Sequence, residues 1–168
     1  KKHLWTASNY DIFGRLIYMG QYEAEMSLEE AIMEFGNSPV TDSFITTNAM
    51  GYSNTPFNLQ SDKMLTVNYY DDYRFLELLP PAQRDSLSYK QKEGYGTAFT
   101  SNGSSSGSKL NAKGLLTGTR TYLLDGSGKY TIQAFYYDEK DNIIQTRQSN
   151  HLGGYTTAYH RVDFRGKP

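Results

Sequence analysis

Three histidines are the first residues of this sequence whose chemistry could serve a reaction: His3, His151 and His160. A histidine acts as a general base only within hydrogen-bonding reach of the group that it deprotonates. None of the three belongs to a His-Glu-x-x-His metal motif, and no nucleophile is spaced to pair with them. We expect His151 to be a turn residue and His160 to lie in a strand near Asp163.

Two kinds of acidic cluster offer carboxylate chemistry. Asp71-Asp72 could be the carboxylate pair of a glycosidase, but neighbouring residues of a strand point to opposite faces, so we interpret both as turn residues. The loops 125–128 and 138–142 carry oxygen ligands that suit Ca²⁺. Neither loop follows the EF-hand pattern, and Lys140 adds a repelling charge. We therefore predict no catalytic residue, no metal site and no cofactor.

The 15 tyrosines are the third candidate for function. An aromatic face can stack on a sugar ring while the phenol adds a hydrogen bond, so exposed tyrosines could bind carbohydrate. In the other interpretation, the tyrosines fill the interior of a sheet or line its wall, as is usual in strand-rich proteins. Both interpretations apply to the same five residues: Tyr69, Tyr73, Tyr136, Tyr155 and Tyr159.

Strands must position most of these side chains. Residues 65–70 and 130–137 alternate in character with a period of two, which is typical of a strand. Segments 115–124 and 129–137 flank Asp125-Gly126-Ser127-Gly128, a signal for a β-hairpin. Together they predict a mainly β fold, an antiparallel hairpin array. The further predicted strands are residues 4–9, 15–19, 44–50, 75–79, 142–148 and 156–162.

One short helix is predicted near residues 28–35. Ser27 and Glu30 form a capping-box pattern, and apolar residues follow at helical spacing. Gly36 suits the left-handed position just past the end of the helix. A helix of about two turns is not stable alone, so we expect its apolar stripe to pack on the sheet.

A recurring pattern links the predicted strands: an aromatic residue, Asp, two variable positions, and then a residue suited to positive φ. The Asp side chain can accept backbone N–H groups two or more residues on, and Gly takes positive φ at little cost. Asp can take the same conformation less comfortably. We expect a hairpin turn at each of four copies, defined by Tyr10, Asp11 and Gly14; Tyr70 and Asp71, a shortened variant; Tyr137, Asp138 and Asp141; and Asp163 and Gly166, where Val162 stands in place of the aromatic residue.

These residues resemble the Rhs/YD-repeat proteins, in particular the large Rhs-repeat proteins of Bacteroidetes. Residues 65–73, 113–118 and 150–154 fit that group beyond the bare Tyr-Asp unit. The resemblance implies a long β-sheet strip that coils into a hollow shell around a toxin or other domain, or that forms a large surface protein. It also implies a secreted or cell-surface location, with adjoining repeats, and a glycan or the cell surface, as partners.

The sequence departs from that family in one respect. The family's self-cleavage motif is built around Asp-Pro-x-Gly, and here no Asp precedes a Pro. The resemblance therefore implies a segment of shell wall, without the cleavage site or the cargo.

Length and composition limit the remaining possibilities. The 168 residues begin at Lys1-Lys2 without a signal-peptide pattern, so we expect residues 1–168 to be a single segment of a larger repeat protein, with a flexible Ser/Gly loop at 101–109. The 17 basic and 18 acidic residues give a net charge of −1, which does not suit nucleic acid. The chain has no cysteine, and it has no apolar run approaching the ~18 residues of a membrane span.

Overall fold

The computed structural model describes residues 2–36, 41–102 and 108–161. Strands account for most of the regular secondary structure. The strands are β1 (His3–Tyr10), β2 (Leu16–Ala24), β3 (Met64–Asp71), β4 (Thr100–Asn102), β5 (Ser108–Leu110), β6 (Ala112–Tyr122), β7 (Tyr130–Tyr137), β8 (Ile143–Ser149) and β9 (Tyr155–Tyr159). The helices are α1 (Leu28–Phe35), α2 (Pro81–Leu87) and a 3₁₀-helix (Arg74–Leu78).

Seven strands form one antiparallel sheet in the order β1-β2-β3-β6-β7-β8-β9, and β4 pairs with β5 separately. The prediction of a mainly β, antiparallel hairpin array is confirmed. The Ser/Gly loop predicted at 101–109 lies largely outside the described residues. The chain forms two compact units, Lys1–Val67 with Thr121–Tyr130, and Asn68–Arg120 with Thr131–Pro168.

The first unit has a polar cluster at the centre of its core. Asn9 is fully buried, and its Nδ2 donates to the Tyr18 hydroxyl at 2.7 Å and to the Thr55 carbonyl at 3.1 Å. The Tyr18 hydroxyl donates to the same carbonyl at 3.2 Å. Burial raises the pKa of Tyr18, so this phenol stays protonated and keeps its donor. Buried polar groups need such partners, and these bonds join β1 and β2 to the 41–63 segment.

The second unit packs aromatic rings against its strands. Phe75, at the start of the 3₁₀-helix, stacks on Tyr69 of β3 with ring centroids 4.7 Å apart and an interplanar angle of 8°. Gly118 of β6 makes room for this ring, because a Cβ atom there would lie 2.4 Å from Cζ of Phe75. On β7, the fully buried Tyr136 donates its hydroxyl to the Leu87 carbonyl at 2.6 Å. That bond ties α2 to the sheet.

Two of the predicted strands are wrong. Residues 44–50 form an irregular segment with a bend and a turn, because the Asn48 side chain accepts the Met50 N–H at 2.8 Å and the Gly51 N–H donates to the Asn48 carbonyl at 2.9 Å. Residues 75–79 lie mainly in the 3₁₀-helix. Phe75, Leu76 and Leu79 are all buried, a spacing that a helical turn places on one side, whereas a strand would point the neighbours Phe75 and Leu76 to opposite faces.

Helix α1 spans the predicted residues, and both hydrogen bonds of its capping box are present between Ser27 and Glu30. Its packing differs from the prediction. None of its residues is fully buried, and Ile32 and Met33 are exposed. Phe35 alone makes ring contacts, with Tyr22 of β2 and with Phe57. Gly36 has a φ of −76°, so the predicted left-handed end is also wrong.

Helix α2 was not predicted. Pro81 occupies its first turn, where a missing N–H costs nothing.

Candidate functional site: hairpin turns, tyrosines and the β9 edge

The side chain of Asp11 holds the turn between β1 and β2. Its Oδ1 accepts the backbone N–H groups of Phe13 and Arg15, each at 2.9 Å, and its Oδ2 lies 2.6 Å from Nε of Arg15. The backbone closes the same loop, because the Asp11 N–H donates to the Arg15 carbonyl and the Gly14 N–H donates to the Asp11 carbonyl. Gly14 has a φ of +77°, which glycine adopts without strain.

The turn between β7 and β8 has the same geometry with different residues. Oδ1 of Asp138 accepts the N–H groups of Lys140 and Asn142, each at 2.9 Å. Asp141 takes the position of Gly14 and has a φ of +62°. Burial opposes ionisation of Asp138, but hydrogen bonds from Asn142 and Lys140 outweigh it, so the pKa of this carboxyl lies below its usual value.

A third turn of this kind lies between β8 and β9, where His151 is a turn residue as predicted, although the four copies of the Tyr-Asp pattern do not include it. Oδ1 of Asn150 accepts the N–H groups of Leu152 at 3.0 Å and Gly154 at 2.9 Å, and Gly153 has a φ of +83°. The pattern demanded an aromatic residue followed by Asp, whereas Asn150 follows Ser149. A search for Asp or Asn, two free positions and Gly would have found it.

The first two turns also share a β-bulge. In both hairpins the last residue of the first strand pairs with the first residue of the second, and one residue of the second strand is then skipped. The skipped residues are Ile17 in β2 and Ile144 in β8, and both are buried. Each second strand begins with two apolar residues, Leu16-Ile17 or Ile143-Ile144, and the second of them is the buried bulge residue. The β8–β9 hairpin has a continuous register.

The pattern at Tyr70 and Asp71 does not form a hairpin turn, so that prediction is wrong. β3 ends at Asp71, which has a φ of +74° and whose Oδ1 accepts the Gly114 N–H at 2.7 Å. Oδ1 of Asp72 accepts the backbone N–H of Arg74, the first residue of the 3₁₀-helix, at 3.0 Å. The chain turns into that helix because its apolar residues are buried, instead of returning as a neighbouring strand.

The histidines and acids do not assemble into a reactive group among the described residues. His151 is exposed at a turn, and Nε2 of His160 lies 3.2 Å from Oγ1 of Thr146 just past the end of β9. Asp163 and Gly166, which define the fourth predicted turn, lie outside the described residues. Within the described part, no three His, Asp or Glu side chains are grouped so that they could hold a metal ion.

The five candidate sugar-binding tyrosines divide into buried and accessible ones. Tyr69 and Tyr136 are 2% and 0% exposed, so neither can present a face to a sugar, and the prediction is wrong for both. Tyr73 stacks on Tyr136 at 4.8 Å, and burial raises its pKa far above the usual value. On β9, Tyr155 is 42% exposed and Tyr159 is half-buried. Tyr73 is also partly exposed, but one face of its ring is stacked and its hydroxyl donates to the Phe135 carbonyl at 2.8 Å, so Tyr155 and Tyr159 are the better surface candidates.

Tyr159 belongs to a small surface cluster. Its ring centroid lies 5.3 Å from that of Tyr95, and Nζ of Lys92 lies 4.3 Å from the Tyr159 centroid and 4.9 Å from the Tyr95 centroid. A cation at these distances is attracted to the ring faces. The contact fixes the Tyr159 ring while Tyr155, on the same face of β9, lies open.

β9 is the last strand of the sheet, and its hydrogen-bonding pattern can be assigned. The Asn150 N–H donates to the Gly154 carbonyl at 2.8 Å, and the His160 N–H donates to the Ile144 carbonyl at 2.9 Å. Hydrogen-bonded pairs alternate along an antiparallel ladder, so Thr156 and Ala158 also direct their N–H and C=O groups to β8. The residues between them direct theirs away from β8: Tyr155, Thr157 and Tyr159. No described strand lies on that side.

No protein-family model, no curated protein and no solved structure matches this chain. Among the described residues, none of the helices is both long enough and apolar enough to cross a membrane.

Proposed function

We propose that this chain is a wall segment of a secreted or cell-surface protein of the Rhs/YD-repeat type, which encloses or displays another domain and has no catalytic role of its own. The observation that supports this proposal is the recurrence of one bend. Asp11, Asp138 and Asn150 each accept two backbone N–H groups, at the second and the fourth residue after them. The same hairpin unit thus occurs several times in one sheet, as a repeat architecture requires.

The bends suit a wall because each one satisfies its own polar groups. A short turn with its N–H groups bonded locally needs no support from another domain. The buried bulge residues Ile17 and Ile144 anchor the strand that follows two of the bends. Growth of the wall then requires an open strand edge, and the outer edge of β9 provides one. The partners of this edge would be adjoining repeats of the parent chain.

The open edge allows a direct test by amide hydrogen exchange. The 168-residue chain is compared at low concentration with a longer chain in which its natural continuation follows Pro168. We expect the N–H groups of Tyr155, Thr157 and Tyr159 to exchange fast in the shorter chain and to become protected in the longer one. The amides of Thr156 and Ala158 are the internal control, because they already bond to β8 and should be protected in both.

Equal, fast exchange at the three outward amides in both chains would overturn the wall proposal. A continuation that folds as a separate domain, without protecting β9, would do the same. Protection of all five amides in the longer chain supports the proposal, because it shows a strand added to this edge.

A second candidate function is carbohydrate binding, favoured by the exposure of Tyr155 and by the neighbouring Tyr159. Ring faces on one strand, four positions apart and therefore roughly 13 Å from each other, could each stack on one sugar of an oligosaccharide. Calorimetric titration with a panel of glycans tests this. Saturable binding that is lost in Tyr155→Ala and kept in Tyr10→Ala, a matched exposed tyrosine, supports binding, and a flat titration excludes the glycans tried.

A further inference from the structure

The outer edge of β9 has the chemistry of a strand that pairs with a copy of itself. We propose that two copies of this chain associate through β9, antiparallel, about a twofold axis that passes through Thr157. This proposal rests on the edge geometry and does not require the wall function. An adjoining repeat would compete for the same edge, so the 168-residue chain is the form in which pairing between copies is tested.

The sequence of β9 is close to a palindrome. Reading Tyr155-Thr156-Thr157-Ala158-Tyr159 outward from its centre gives Thr and Ala, then Tyr and Tyr. In an antiparallel pair centred on Thr157, Tyr155 lies opposite Tyr159 of the second copy, and Thr157 lies opposite itself. Each copy therefore presents a tyrosine wherever its partner does. Aromatic pairs and Thr–Thr pairs directly across two strands are among the stabilising combinations.

The residues of β9 whose backbone N–H and C=O groups point away from β8 match this register. In an antiparallel ladder, only residues that both point their N–H and C=O groups at the partner form a hydrogen-bonded pair. Tyr155, Thr157 and Tyr159 are the outward residues of β9, and the proposed register brings them opposite one another. A shift by one residue would set outward groups against inward ones and lose every bond. The twofold register therefore satisfies all the outward groups of the strand.

Within the described part of the chain, the β9 strand itself lacks the features that normally prevent pairing, and the nearby Lys92 lies over the face of the Tyr159 ring. Exposed edge strands are usually protected by a charged side chain, a proline or a bulge. β9 contains no charged residue and no proline, and its register with β8 is continuous. An interface limited to one five-residue strand is small, so we expect a weak and concentration-dependent dimer.

Charge-swap variants test the axis position. In a twofold pair, Thr157→Lys sets two ammonium groups opposite each other, and Thr157→Glu sets two carboxylates opposite each other. Sedimentation equilibrium over a range of concentrations should show a dimer for the natural chain and a dissociation constant raised about tenfold or more for either variant alone. An equimolar mixture of the two variants should recover a heterodimer. Far-ultraviolet circular dichroism of each variant checks that it is folded.

Cysteine cross-linking gives an independent measurement, because the chain has no natural cysteine. Residues in a hydrogen-bonded antiparallel pair have Cα atoms about 5.5 Å apart, which a disulfide can span. Thr157→Cys should therefore form a covalent dimer under mild oxidation. Thr156→Cys is the matched control, since position 156 faces position 158 of the partner and lies too far from its own copy.

Three results would overturn the proposal: a strictly monomeric natural chain at high concentration, a dimer unaffected by either charge at position 157, or cross-linking as efficient at position 156 as at position 157. Recovery of the heterodimer together with selective cross-linking at position 157 would establish it.

Discussion

Oδ1 of Asp138 accepts the backbone N–H of Asn142, four residues along the chain, at 2.9 Å. Oδ1 of Asn150 accepts the N–H of Gly154 at the same distance and spacing. An amide oxygen therefore does what a carboxylate oxygen does in the equivalent turn. The bend depends on a short side-chain acceptor at its first position, whether or not that acceptor is charged.

This equivalence predicts the effect of substitutions at Asp138. Asp138→Ala leaves two backbone N–H groups without their acceptor and should lower the free energy of unfolding by about 1–3 kcal/mol. Asp138→Asn keeps an acceptor and should lower it by less than about 1 kcal/mol. Urea denaturation measures both. Glu139→Ala, at an exposed position of the same turn, is the control and should have almost no effect. Equal stability of all three variants would contradict the role of the side chain.

Acid titration separates the charge of Asp138 from its hydrogen bonds. Because its pKa is lowered in the folded protein, the unfolded chain binds the proton more readily, and stability is lost as the pH falls. The contribution is fully present above the unfolded pKa of about 3.9 and disappears as the pH falls through the folded value. The stability difference between the natural chain and Asp138→Asn should therefore shrink between about pH 5 and pH 2. Parallel curves over this range would contradict the prediction.

Gly14 and Asp141 occupy the same left-handed position in two bends, so exchanging the residue type at each should change stability in opposite directions. Asp141 has a φ of +62°, so Asp141→Gly should relieve backbone strain and raise the free energy of unfolding by up to about 1 kcal/mol. Gly14→Ala should lower it by about 1 kcal/mol. Nothing lies within 4 Å of a Cβ atom built at Gly14, so the conformation alone is responsible. Thermal unfolding measures both changes, and shifts of the same sign would refute the assignment.

Gly118 is expected to be sensitive for a different reason. A Cβ atom there would lie 2.4 Å from the Phe75 ring, so Gly118→Ala should push that ring off Tyr69 and lower the free energy of unfolding by about 1–3 kcal/mol. Phe75→Leu in the same chain should remove most of the extra cost, which a double-mutant cycle measures. Additive effects would show that Phe75 does not limit the space at Gly118.

Local patterns predicted the parts of this fold that local forces determine. The capping box of α1 depends on residues three apart, and the Asp11 and Asp138 bends depend on residues within four positions. The packing of distant residues decided the rest. Phe75 fits over Tyr69 only because β6 carries Gly118, and no pattern near Phe75 contains that information. The burial of Tyr136 likewise depends on α2, through the Leu87 carbonyl.

The same distinction explains the tyrosines. A strand pattern assigns a tyrosine to one face of the sheet but does not say whether a helix covers that face. Tyr136 is fully buried, and its hydroxyl donates to the carbonyl of Leu87 in α2. Tyr155, on the last strand of the sheet, is 42% exposed. The surface candidates could therefore be separated from the core tyrosines only when the strand order was known.

The most direct test of the central claim, that bends led by Asp or Asn fold successive strands into one register-defined sheet, is the nuclear Overhauser spectrum of the β8–β9 hairpin. Residues in a non-hydrogen-bonded antiparallel pair have close Cα atoms. We predict strong contacts between the Hα protons of Arg147 and Thr157, and between those of Gln145 and Tyr159. Contacts shifted to Thr156 and Ala158, or the lack of any contact between these strands, would contradict the account.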